Sequence, residues 1–120
     1  MSNAAGIAVS GMQAASARLE AAASNIVNMD SNGYQPVSVA HSPAPDGGVS
    51  ASLQPVTPAS LLAYDPASPY ANVQGMVAKP NADMATEIVN MKLAQHDFRA
   101  SLMAYKASSE MFKTLLDATA

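Results

Sequence analysis

All eight prolines of this chain, Pro36, Pro43, Pro45, Pro55, Pro58, Pro66, Pro69 and Pro80, fall between positions 36 and 80, and both flanks are free of proline. Proline has no backbone N–H and its ring collides with the preceding turn, so long helices are confined to the flanks. The sequence therefore divides into an N-terminal helical segment, 1–32, a Pro-rich strand-and-loop segment, 33–80, and a long C-terminal helix, 81–120. A chain of 120 residues leaves no room for a multi-domain enzyme.

In the first flank Ala8, Met12, Ala15, Leu19, Ala22, Ile26 and Met29 alternate spacings of four and three, the repeat of a coiled-coil seam. Nine alanines lie between Ala4 and Ala23, and the only charges there are Arg18 and Glu20. Alanine is the best helix former and lets backbones approach closely, but such a helix needs neighbours on several sides. The run Asn28-Met29-Asp30-Ser31-Asn32-Gly33-Tyr34 stops it, because Asn-Gly accepts the positive φ of a helix end or tight turn.

The second flank repeats the signal over ten positions: Met84, Ile88, Met91, Gln95, Phe98, Leu102, Tyr105, Ser109, Phe112 and Leu116. Lys92, Arg99, Lys106 and Lys113 recur at every seventh residue beside this seam. Asn81 or Asp83 supplies an N-cap after Pro80, and Glu87 places a carboxylate near the positive helix end. At 1.5 Å per residue the helix from Asp83 to Ala118 is roughly 50 Å long, too long for the core of a small globule.

Within the middle segment, Val37 and Val39, then Val49, Ala51 and Leu53, alternate around Pro45-Asp46-Gly47-Gly48, which predicts a hairpin. Ser60 to Tyr64 and Val73 to Ala78 each predict a further strand, and Asp65 to Pro69 an irregular loop. The fold class expected is mainly α with a small β middle: two long terminal helices forming a coiled-coil pair that frames a short Pro-rich segment.

Charged residues are 12% of the chain, against about a quarter in ordinary soluble domains, so much of the surface is suited to contact with other chains. A net charge of −3 argues against nucleic acid, and no stretch approaches the roughly 18 apolar residues of a membrane span, so no membrane insertion is expected. The first basic residue is Arg18 and the apolar run Ala4 to Val9 is short, so no cleavable secretory signal is expected. Cysteine is absent, which excludes disulfides, thiolate metal sites and a Cys nucleophile.

No catalytic constellation emerges. His96 and Asp97 are adjacent on a helix and point about 100° apart, so they are not an oriented pair. His41 lies alone among prolines, and Asp83 with Glu87 is better read as helix-end chemistry than as an acid and base. No catalytic, cofactor or metal residue is assigned, and no cofactor is expected.

The turn Ser24-Asn25-Ile26-Val27-Asn28, then Gly33-Tyr34, together with Gly11-Met12-Gln13-Ala14-Ala15 and Arg18-Leu19, resembles the bacterial flagellar axial family of rod and hook proteins. Pro80-Asn81-Ala82-Asp83 with Glu87-Ile88-Val89-Asn90-Met91 is similar to the signature of its proximal-rod members, and Ser109 to Leu116 resembles their tail. Two positions depart from the pattern: Asn32 stands where the family has proline, and Gln35 where it has Lys or Arg.

The resemblance implies a structural subunit of the basal-body rod, exported unfolded through the flagellar type III apparatus without signal cleavage. Its partners would be itself, other rod subunits and the export apparatus, in a helical tube that crosses the periplasm and transmits torque. The expected assembly seam comprises Met12, Ala15, Leu19, Ala22 and Ile26 on the first helix, and Met84, Ile88, Met91, Phe98, Leu102, Tyr105, Phe112 and Leu116 on the second. The turn motif is Asn25, Asn28, Gly33 and Tyr34, with Tyr34 expected to lock the turn by packing. A helical export chaperone or adaptor is the alternative, and a peptidoglycan-cleaving enzyme a more distant one.

Overall fold

The computed structural model describes residues 2–120. Helix α1 spans Ser2–Val27, followed by strands β1 (Val37–Pro43), β2 (Val49–Pro55), β3 (Ser60–Tyr64) and β4 (Met76–Pro80), and then helix α2 (Met84–Thr119). Each expected element is present. The fourth strand starts three residues later than the alternation suggested, because Asn72 gathers the intervening turn: its Oδ1 accepts from Gln74 N and Met76 N, both at 2.9 Å.

The strands form two separate antiparallel hairpins, β1 with β2 and β3 with β4. The first turns through Ala44–Gly48, closed by Gly47 N to Ala44 O at 3.1 Å and Ala44 N to Gly48 O at 3.2 Å. Its two glycines have φ of 83° and 91°, a conformation that side-chain-bearing residues rarely adopt. Gly48 also seats against Ile7 and Ser10 of α1, and Ser10 Oγ accepts from Val49 N at 3.1 Å. The first hairpin thus lies along α1. Among the described residues β3 and β4 pack against neither helix nor the first hairpin.

The helices run antiparallel. Gly11 faces Ser101, Arg18 reaches Asn90 and Asp97, and Asn25 reaches Glu87, so positions advance on α1 as they recede on α2. A Cβ placed on Gly11 would lie 2.6 Å from Ser101 Oγ, which shows how closely the backbones approach. Asp83 caps α2: its Oδ2 accepts from Thr86 N at 3.0 Å and from Thr86 Oγ1 at 2.9 Å. These two bonds hold its carboxyl below the ordinary aspartate pKa.

The buried apolar set is small in every sense. Ala8, Ala14, Ala15, Ala21 and Ala22 on α1, Ala94 on α2, Val77 and Pro80 on β4, and Pro36 just before β1 are its members among the described residues. The molecule measures 78 × 24 × 15 Å with a radius of gyration of 20.4 Å, against about 14 Å for a compact domain of this length. It is a thin rod with its middle segment at one side and end.

Candidate assembly surface

Asn25 is the best-buried polar residue, 1% exposed, and its amide uses all four of its hydrogen-bonding positions. Nδ2 donates to Val37 O at 2.7 Å and to Glu87 Oε1 at 3.1 Å. Oδ1 accepts from Val37 N and from Tyr34 Oη, each at 3.0 Å. One side chain on α1 therefore ties together the turn, the first residue of β1 and the first turn of α2. The paired bonds to Val37 imitate a strand partner, and they fix where β1 leaves the helix.

The rest of the turn motif supports this knot. Asn28 places both its backbone N–H and its side-chain Nδ2 on Ser24 O at 3.0 Å, satisfying a carbonyl that the helix end would otherwise leave open. Gly33 takes φ of 78°, the left-handed turn that Asn-Gly suggested. Tyr34 is anchored by its hydroxyl, which bonds Asn25 and lies 2.9 Å from Ser24 Oγ, so the anchor is a hydrogen-bonded one rather than ring packing alone. Asn32 is exposed.

The seam residues divide between two surfaces. On α1, Ala15 and Ala22 are buried, while Met12, Leu19 and Ile26 are half-buried. On α2, Met91 and Leu102 are half-buried, but Met84, Ile88, Phe98, Tyr105, Phe112 and Leu116 retain between 39% and 55% exposure. The side of α2 turned to α1 is instead lined by Glu87, Ala94, Ser101 and Ser108, spaced seven apart and all at least partly covered. Small side chains allow the close approach to the alanine-rich α1, and that rotates the large apolar residues towards the flank and the outside. The heptad spacing picked out an apolar row on each helix; that the smallest row would face inward was visible only in the alanine content of α1.

Between the helices on this flank runs a groove of about 350 Å³, with Ala15, Leu19, Ala94 and Phe98 along it and Arg99 at its edge. Val89, Leu93, Met103, Met111 and Leu115 add further exposed apolar area on α2. The opposite flank holds the first hairpin and a more polar cleft containing Arg18, His41, Glu87 and Asn90. His41 and His96 are both exposed, Asp97 pairs with Arg18 rather than with His96, and Asp83 and Glu87 are engaged as a cap and an acceptor from Asn25, so neither His96 with Asp97 nor Asp83 with Glu87 forms an acid–base couple. No group of three or more metal-ligating side chains occurs among the described residues, and none of their helices is long and apolar enough to cross a membrane.

A rod whose helices pair through small residues and present large apolar ones outward is the form of an axial assembly protein. The family model for flagella basal body rod proteins matches residues 7–35, and that for the C-terminal region of flagellar basal body rod FlgEFG proteins matches residues 73–118. The chain is 32% identical to the flagellar basal-body rod protein FlgC of Aquifex aeolicus, over 97% of this chain and 95% of that one. It is 35% identical to FlgC of Salmonella typhimurium, over 91% of each, and 36% identical to FlgC of Bacillus subtilis over a shorter stretch, 47% of this chain and 37% of the relative. The chain belongs to the flagellar basal-body rod protein family, and it is a structural subunit of the flagellar basal-body rod. The two matched stretches take in the turn motif with Asn25 and Tyr34, and nearly all of α2.

Proposed function

We propose that this subunit acts by polymerising through α1 and α2 into a helical axial tube that transmits torque, with the seam residues as its subunit contacts. The carrying observation is the outward apolar face of α2. Six of its eight seam residues are at least 39% exposed, which costs solvation free energy unless neighbours cover them. Contacts of this kind, with itself and with other rod subunits, suit a subunit of the basal body.

The subunit does its work as a mechanical element, without catalysis. Export through the flagellar type III apparatus, unfolded and with no signal cleaved, fits a chain whose helices bury little surface until neighbours arrive. The turn motif serves assembly by fixing the angle between α1 and the first hairpin, so that each copy presents the same surface.

The test is complementation of motility in a strain lacking the gene. A chain deleted for residues 2–30 loses α1 and the Asn25 knot, and is expected to be made but to build no rod. Full motility from that deletion would overturn the polymerisation role.

A further inference from the structure

We infer that β3 is an open sheet edge that takes strand β2 of a second copy of this chain, in antiparallel register. The inference rests on the polymerisation proposed above and names one pair of surfaces through which copies join. In the second hairpin Asp65 N donates to Gly75 O and Asn81 N to Ala59 O, both at 2.9 Å, so the ladder bonds fall on Leu61 with Lys79 and on Ala63 with Val77. Ser60, Leu62 and Tyr64 therefore turn their N–H and C=O groups away from β4, and no described group takes them up. The strand Ser-Leu-Leu-Ala-Tyr has no charge or proline to guard that edge, and Leu62 and Tyr64 are 69% and 73% exposed.

The other strand edges narrow the choice of occupant. That of β4 is closed: Asn72 bonds Met76 N and Met76 O, both at 2.9 Å, while Pro80 has no N–H and its O accepts from Ala82 N at 2.8 Å. On β1, Asn25 holds both backbone groups of Val37, and Val39 and His41 line a cleft with Arg18 and Asn90. A pairing of β3 with β3 of another copy would close into a two-fold dimer and stop growth. That leaves β2. Its ladder to β1 runs through the even-numbered residues, a phase marked by Val56 N on Pro36 O and Ala44 N on Gly48 O, so Ala51 and Leu53 point their N–H and C=O groups outward. Val49 N is already on Ser10 Oγ, which selects the register with Leu62 opposite Leu53 and Tyr64 opposite Ala51. Residues directly opposite share a face, so Leu53, 62% exposed, meets Leu62. Within one chain β2 and β3 belong to separate sheets, so each copy offers one edge of each kind and the contact propagates from copy to copy.

Amide hydrogen exchange, read residue by residue on the full chain, tests this. In dilute monomer the amides of Leu61 and Ala63 should exchange more slowly than those of Leu62 and Tyr64. At concentrations where sedimentation shows self-association, Leu62 and Tyr64, together with Ala51 and Leu53, should slow several-fold and erase the alternation. Leu62→Pro removes one outward N–H and leaves the ladder to β4 in place, so it should weaken self-association several-fold while Leu61 and Ala63 keep their monomer protection. Leu62→Ala, which trims the side chain but keeps the N–H, should weaken it less. Self-association with Leu62 and Tyr64 still exchanging freely, or unchanged in Leu62→Pro, overturns the edge pairing and leaves polymerisation standing. Protection of Leu62 and Tyr64 without protection of Ala51 and Leu53 overturns β2 as the occupant. A wild-type chain that never self-associates overturns both the pairing and the polymerisation.

Discussion

At the scale of single residues, Asn25 carries the most structure. Asn25→Ala removes four hydrogen bonds and strands the N–H and C=O of Val37, so it should destabilise the chain by ~2–4 kcal/mol, read from the urea midpoint. Tyr34→Phe loses only the hydroxyl bonds and should cost about 0.5–1.5 kcal/mol. Asp83 gives a pH signature. Its pKa is lowered on folding by the bonds from Thr86, so its contribution is present above the unfolded value near pH ~4 and is lost as the pH falls through the lower folded value. The acid limb of α2 helicity, followed by circular dichroism, should flatten in Asp83→Asn, which still caps but does not titrate. The sequence marked Gly33 and Tyr34 as a turn and offered Asn81 or Asp83 as a cap, because those patterns are local, whereas Asn25 stood out only through the family resemblance. The bond from Asn25 to Glu87 spans 62 residues of chain, and no local pattern announces it.

At the scale of elements, the helix pair depends on small residues more than on the large ones that make the heptads conspicuous. Gly11→Leu should therefore be among the most disruptive changes in α1, costing about 1–3 kcal/mol as α2 is pushed away at Ser101. Leu102→Asp places a carboxylate on a half-buried position of α2 and tests the same face from the other helix. Helicity and assembly unchanged in both variants would contradict the pairing described above. Helices, first hairpin and third strand were legible because proline distribution and periodicity are properties of the chain itself. The rotation of α2 was not, since seam reasoning weights the largest side chains as core, and here the alanines of α1 select the smallest row instead. That the second hairpin packs on neither helix was also hidden: Leu61, Leu62 and Tyr64 are apolar enough to suggest a core, yet all three are exposed.

On the scale of the whole molecule, a 78 Å rod with a narrow alanine core has little to hold its ends together alone. Protease digestion of dilute monomer should trim α2 from its exposed end at Ser109 to Thr119 before cutting the first hairpin, which is fastened to α1 through Ser10 and Asn25. Low charge content and outward apolar rows, ordinarily faults in a soluble domain, become sense in a subunit whose surface is completed by its neighbours. That completion is the central claim, and a reconstruction of the native assembled rod at side-chain resolution tests it most directly. Met84, Ile88, Phe98, Phe112 and Leu116 should all be covered by helices of adjacent subunits, with the Asn25 knot intact in every copy. An assembled rod in which these five side chains face open solvent would contradict it.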